Sequence, residues 1–189
     1  MTFGAFIGHS FRDPAGTARW LRSMAFDRGT LYAMVTLVTV LSVLLLEVGL
    51  MLAPGETAIA PLSPFTLTVV LGASLIMLIF ALQLTGQMLG GSGRLGQALL
   101  LVVWWQAMAL VIQAAQTVLV LVLPPLAGVL TIAGLVWLVF ALLHLVNVLH
   151  GFDSLPKALA TVVIGVVGIS FGLALLLTLI GVTLQGGTP

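Results

Sequence analysis

The chain contains no cysteine. That excludes disulfides, thiolate zinc sites, iron–sulfur clusters and cysteine nucleophiles. Charge is nearly as scarce. Only 6% of the 189 residues are charged, against roughly 25% in a soluble domain. A globule so poor in charge has too little polar surface to stay dissolved, and 61% of the residues are hydrophobic. Composition therefore places the chain in the membrane class. Six basic residues cannot build a substantial phosphate-binding face, so nucleic acid is not expected as a partner.

Catalytic motifs are missing too. There is no G-x-x-x-x-G-K loop and no G-x-S-x-G elbow, and "GGSGR" at Gly90–Arg94 reads as a flexible loop. No second acid accompanies Glu47, the one acid inside an apolar run. His144 and His150 are six apart, about 120° apart on a helix, unlike the four-residue spacing that puts two histidines on one face. The expectation is no enzyme, no metal site and no cofactor beyond a bound lipid.

What is present is apolar length. A spanning helix needs about 20 mostly apolar residues. Five segments qualify, at 31–52, 65–87, 97–123, 126–149 and 158–184. One helix through 97–149 would be roughly 80 Å long, so Pro124 and Pro125 must break it into a tight hairpin. The expected fold is all-α: a polytopic integral membrane bundle, residues 31–189, behind a lead of residues 1–30. Residues 1–30 hold four arginines and no long apolar core, so they read as a retained lead and not as a cleavable signal.

The six cations sort to one side if the chain crosses five times. Arg12, Arg19, Arg22 and Arg28 precede the first span, Arg94 follows the second, and Lys157 follows the fourth. The other connections have none. By the positive-inside rule the N-terminus is cytoplasmic and the C-terminus outside. In the lead, Asp13 is a good N-cap and Pro14 suits the first helical position. Thr17, Ala18, Trp20, Leu21, Met24 and Ala25 then share one face, and Arg12, Arg19 and Arg22 the other. This reads as an amphipathic helix on the inner membrane surface or as a cap on the bundle's cytoplasmic face. Arg12, Arg19, Trp20, Arg22 and Lys157 are the expected headgroup contacts.

Polar residues inside a span are costly and are functional suspects. Glu47 lies near the outer end of the first span. Gln106, Gln113 and Gln116 lie within roughly 80° of one another on the third, at 100° per residue. Glu47 with Thr36, Thr39 and these glutamines is expected to form an outer polar layer joining the two spans. Gln83, Gln87, His144 and Asn147 form a candidate inner layer. Small polar side chains also cement helices through bonds of about 1 kcal/mol, and cement is the preferred reading over a pathway. "GISFG", Gly168–Gly172, reads as a packing or dimer face.

The stretch "LLHLVNVLHGFDSLPKALA", Leu142–Ala160, closes the fourth span and opens the fifth. Gly151 can stop the helix in a left-handed conformation. Asp153 or Ser154 can cap the next helix, Pro156 fits its first turn, and Lys157 anchors it. The run Leu149-His150-Gly151, the polar loop to Pro156, and Lys157-Ala158-Leu159 resemble the bacterial branch of the Yip-domain family. The opening "FRDPAGTARWL" resembles that family's Asp-Pro-bearing lead. The resemblance extends from Phe11 to about Leu184. It implies a non-enzymatic membrane protein linked to membrane organisation, trafficking or scaffolding in a bacterial inner membrane. The tyrosine-glycine-proline signature of eukaryotic members is absent, which argues against a Rab-type GTPase partner.

Three functions compete. The leading one is a scaffold, a membrane-organising factor or an accessory subunit, partnered by lipid and by another protein or a second copy. The alternative is a small proton- or solute-conducting transporter using Glu47, Gln113, Gln116 and His144, with Asn147 beside them. Last is an enzyme acting on lipid through His150, Asp153 and Lys157 at the headgroups; the local sequence offers no nucleophile with an orienting base.

Overall fold

The computed structural model describes residues 3–52 and 63–179. Among them seven helices form and no strand. They are α1 Phe3–Arg12, α2 Pro14–Arg22, α3 Arg28–Leu52, α4 Pro64–Met88, α5 Leu95–Val122, α6 Pro124–His150 and α7 Leu155–Leu179. Helices α3 to α7 are each long and apolar enough to cross a membrane. At 1.5 Å per residue they reach about 38–42 Å. The far end of the expected fifth span, beyond Leu179, lies outside the described residues.

Local chemistry fixes the helix ends. The Asp27 carboxylate accepts the Thr30 N–H at 2.9 Å and opens α3. Ser63 accepts from the Thr66 N–H at 3.1 Å, and Pro64 takes the first position of α4. Between α5 and α6 the break is tighter than the expected loop. Leu123 is the one non-helical residue, and Pro124 and Pro125 begin α6 themselves. Proline suits the first turn because the N–H it lacks would have no helical partner there. Gly151, at φ 63°, closes α6 in the left-handed region.

α5 is the central helix. It packs on α3, α4 and α6, and Ala98, Leu101 and Val102 are fully buried. α7 packs on α4 and α6. Its close approach to α4 does not use the Gly168–Gly172 pair as one face. A Cβ at Gly172 would meet Met77 Sδ at 3.0 Å and one at Gly165 would meet Ala81 at 3.7 Å, while Gly168 faces open space. The contact therefore follows a seven-residue spacing, two helical turns. Exposed apolar side chains such as Leu37, Phe80, Ile132 and Phe171 cover the outside. So extensive an apolar surface needs an apolar solvent. Alternating helix directions bring Arg28, Arg94 and Lys157 to one end of the bundle, called the basic end below.

The lead is two helices and not one. α1 was not expected; Ser23 ends α2, short of Ala25. Within α2 the expected cap is present: Asp13 accepts the Gly16 N–H at 2.7 Å. The face bearing Thr17, Ala18 and Leu21 is buried, and α2 packs on α6 and α5. It runs beside α6 instead of lying across the bundle's end. Trp137 Nε1 donates to the Phe11 carbonyl at 3.1 Å, while the Arg22 guanidinium donates to the Val148 carbonyl at 2.7 Å. Trp137 precedes His150 by thirteen residues, so the α1–α2 junction reaches roughly 20 Å along α6. Buried indole N–H groups need acceptors, and this path supplies them: Trp104 Nε1 also donates, to the Ser10 hydroxyl at 3.3 Å.

Candidate functional site

His150 is the last residue of α6 and is 2% exposed. Its ring lies against the end of α4 and the loop to α5. The Gly93 N–H donates to Nδ1 at 3.3 Å, and Nε2 is 3.0 Å from the Leu82 carbonyl. Because Nδ1 accepts, the bonding pattern assigns the proton to Nε2, which donates to Leu82. The Ser92 N–H and hydroxyl donate to the His150 carbonyl at 3.1 and 3.4 Å. Phe152 stacks on the ring, with centroids 5.2 Å apart.

Three glycines mould the ring's surroundings. A Cβ at Gly86, Gly91 or Gly93 would come within 2.1, 2.4 or 2.8 Å of His150 atoms. "GGSGR" is therefore no free loop. Its Gly91 and Gly93 let backbone pack directly on an imidazole, a contact that any side chain would prevent. The last-ranked reading, an enzyme acting on lipid, would need His150 at the headgroups, and the ring's burial argues against that placement. The ring is an internal clasp joining α4, the α4–α5 loop and α6.

The corner to α7 is built beside it. The Asn147 carbonyl accepts the N–H groups of Gly151 at 2.9 Å and Phe152 at 3.2 Å. Its side-chain oxygen accepts the Ser154 N–H at 3.1 Å. The Ser154 carbonyl accepts from Ala158 at 3.1 Å, so Ser154 holds the cap position before α7. Asp153 takes φ 49°, a left-handed turn conformation. Outside the spans, the Thr30 hydroxyl and then the Thr30 N–H hold the Asp27 carboxyl below its ordinary range.

The expected polar layers do not assemble as drawn. α3 and α5 are joined, but at Gln106, whose Nε2 donates to the Ser42 hydroxyl at 3.0 Å. Gln116 donates instead to Thr131 of α6 at 3.1 Å, and Gln113 contributes its carbonyl to the Thr117 hydroxyl at 3.0 Å. The reason is rotation. Gln116 lies about 80° around α5 from Gln106, far enough to face a different neighbour. Glu47 is half-buried and forms no side-chain hydrogen bond or ion pair among the described residues. The inner layer is also dispersed. His144 Nδ1 lies 2.9 Å from the Phe140 carbonyl on its own helix, its ring 4.2 Å from that of Phe140. Asn147 serves the corner, and Gln87 donates to the Gly93 carbonyl at 3.0 Å.

Of the expected headgroup contacts, Arg12, Arg19 and Lys157 are exposed and Trp20 is half-exposed. Arg22 is engaged on Val148, a basic side chain on the last carbonyls of a helix. Among the described residues no three His, Asp or Glu side chains converge to hold a metal. Sequence reasoning missed Ser10, Ser42, Trp104 and the glycine mould. The signal for the mould was four glycines within eight residues, Gly86 to Gly93, beside an apolar span.

A family model described as the Yip1 domain matches residues 8–177. No curated protein and no solved structure matches the chain.

Proposed function

This chain belongs to the Yip1 domain family and is an integral membrane protein; from that membership we propose that it acts as a non-enzymatic scaffold or accessory subunit of a membrane complex. The supporting observation is where its polar groups go. Gln106, Gln116, Asn147 and His150 each bond to another part of the same fold. Such bonds set helix positions, as interhelical polar contacts do in membranes, and leave the outside apolar for lipid and a partner. The basic end faces the cytoplasm of a bacterial inner membrane, and the lead runs from that end along α6. The test uses the cysteine-free background. Single cysteines at Ile132 and Phe171, both exposed, are treated with a bifunctional thiol reagent in native membranes. Crosslinking to a reproducible partner or a second copy supports the reading, and a chain that never crosslinks from either face contradicts it.

A second reading rests on Glu47, the half-buried acid of α3, which has no side-chain partner among the described residues. A proton-coupled transporter would need that carboxyl. Glu47→Gln should then abolish pH-driven flux in reconstituted vesicles, and flux equal to wild type, or none in either protein, removes it.

A further inference from the structure

Near the middle of α3, α4 and α5 the bundle holds a cavity of about 200 Å³. Its polar wall is Thr39, Ser42, Ser74 and Gln106. Thr39 and Ser42 are each only 7% exposed. Each hydroxyl proton is already engaged on its own helix. Thr39 donates to the Val35 carbonyl at 2.9 Å, Ser42 to Val38 at 2.7 Å, and Ser74 to Val70 at 2.7 Å. Since the Ser42 oxygen then acts as acceptor, Gln106 must turn its NH₂ toward it, as observed at 3.0 Å. The indole N–H of Trp105, also at the wall, is taken by the Leu138 carbonyl at 2.9 Å.

The wall is thus rich in acceptors and poor in donors. The Thr39 and Ser74 oxygens keep lone pairs, and Gln106 keeps its carbonyl oxygen and one N–H. Among the described residues no acid and no base lines the space, so none of them would neutralise an ion there. We propose that this cavity is an intramembrane binding site for a neutral O–H donor. The chemistry is shared by water and by the free hydroxyl of a lipid such as diacylglycerol. Water occupies about 30 Å³ per molecule and needs two to four polar partners, which the cavity's volume and wall supply. A hydroxyl lipid would reach it from the acyl region. The site is independent of the scaffold reading and does not use the His150 corner.

The experiment is magnetisation-transfer solid-state NMR on the full chain in phospholipid bilayers, with and without added diacylglycerol. If the site holds water, Thr39 and Ser74 receive magnetisation from water several-fold faster than lipid-facing Leu37 and Ile76. If it holds a lipid hydroxyl, the fast transfer comes from glycerol protons once diacylglycerol is added. Transfer from both sources no faster than at Leu37 and Ile76 overturns the proposal. Ser74→Val should slow transfer to Thr39, with unchanged His150 ring shifts reporting an intact fold; unslowed transfer in that folded variant also overturns it. Ser42→Ala gives a second variant, expected to release Gln106 and slow the same transfer.

Discussion

Gly91 has no positive φ, so its missing side chain serves contact and not backbone strain. A Cβ there would strike the Cβ and Cγ of His150 at 2.5 and 2.6 Å, and the backbone fixes that His150 Cβ, so no side-chain rotation relieves the contact. Gly91→Ala should therefore destabilise the fold by about 1–3 kcal/mol, the usual cost of overpacking. Gly49→Ala is the control, because a Cβ at Gly49 meets nothing within 4 Å; it should be neutral or gain up to about 1 kcal/mol from helix propensity. Chemical denaturation in micelles checks both. His150→Ala alone should cost roughly 2–4 kcal/mol through the hole it leaves. Combined with Gly91→Ala it should cost less than the sum, since the two changes remove one shared contact. Strict additivity would mean the mould does not constrain the ring. The sequence showed both His150 and the glycines, but the partners of the Gly93–His150 bond are 57 residues apart. No local pattern joins positions so distant.

The lead depends on element-scale contacts in the same way. Asp13, Pro14 and Gly151 were legible as helix ends because capping is local chemistry. α1 was not legible, since "FGAFIGHSFR" carries two glycines and is held by Ser10 and Phe11 against Trp104 and Trp137. Tertiary contact overrides weak propensity there. α2 is secured at its far end by the Arg22 bond to Val148. Arg22→Ala should speed amide exchange through α2 and increase tryptic cleavage after Arg19, while exchange in α5 stays slow. Equal exchange in α2 would show that burial of Thr17, Ala18 and Leu21 is sufficient. At the start of α3, the depressed Asp27 carboxyl has a definite sign. Its cap contributes fully above the unfolded carboxylate pKa, near 3.9, and is lost as pH falls through the lower folded value. Thr30 amide protection should hold from neutral pH through pH 5 and fall only in stronger acid. Asp27→Ala should lose it at every pH.

For the whole molecule, apolar length and cation sorting carried the architecture. Five runs long enough to span, with Arg28, Arg94 and Lys157 at alternate connections, permit one up-and-down bundle. What they do not carry is which helix each polar side chain faces. That depends on rotation about five axes at once, and so Gln116 pairs with Thr131 while Glu47 has no partner among the described residues. Under the scaffold account Glu47 is dispensable. Glu47→Gln should leave unfolding midpoint and partner recovery unchanged, as measured by denaturation and by co-purification in mild detergent. Loss of the partner in this variant would move Glu47 from bystander to interface. The scaffold role is tested most directly by native mass spectrometry of the chain ejected straight from its own membrane. A scaffold should appear as a discrete complex heavier than one chain, containing a defined partner or a second copy. A spectrum holding the single chain alone, with lipid at most, would contradict it.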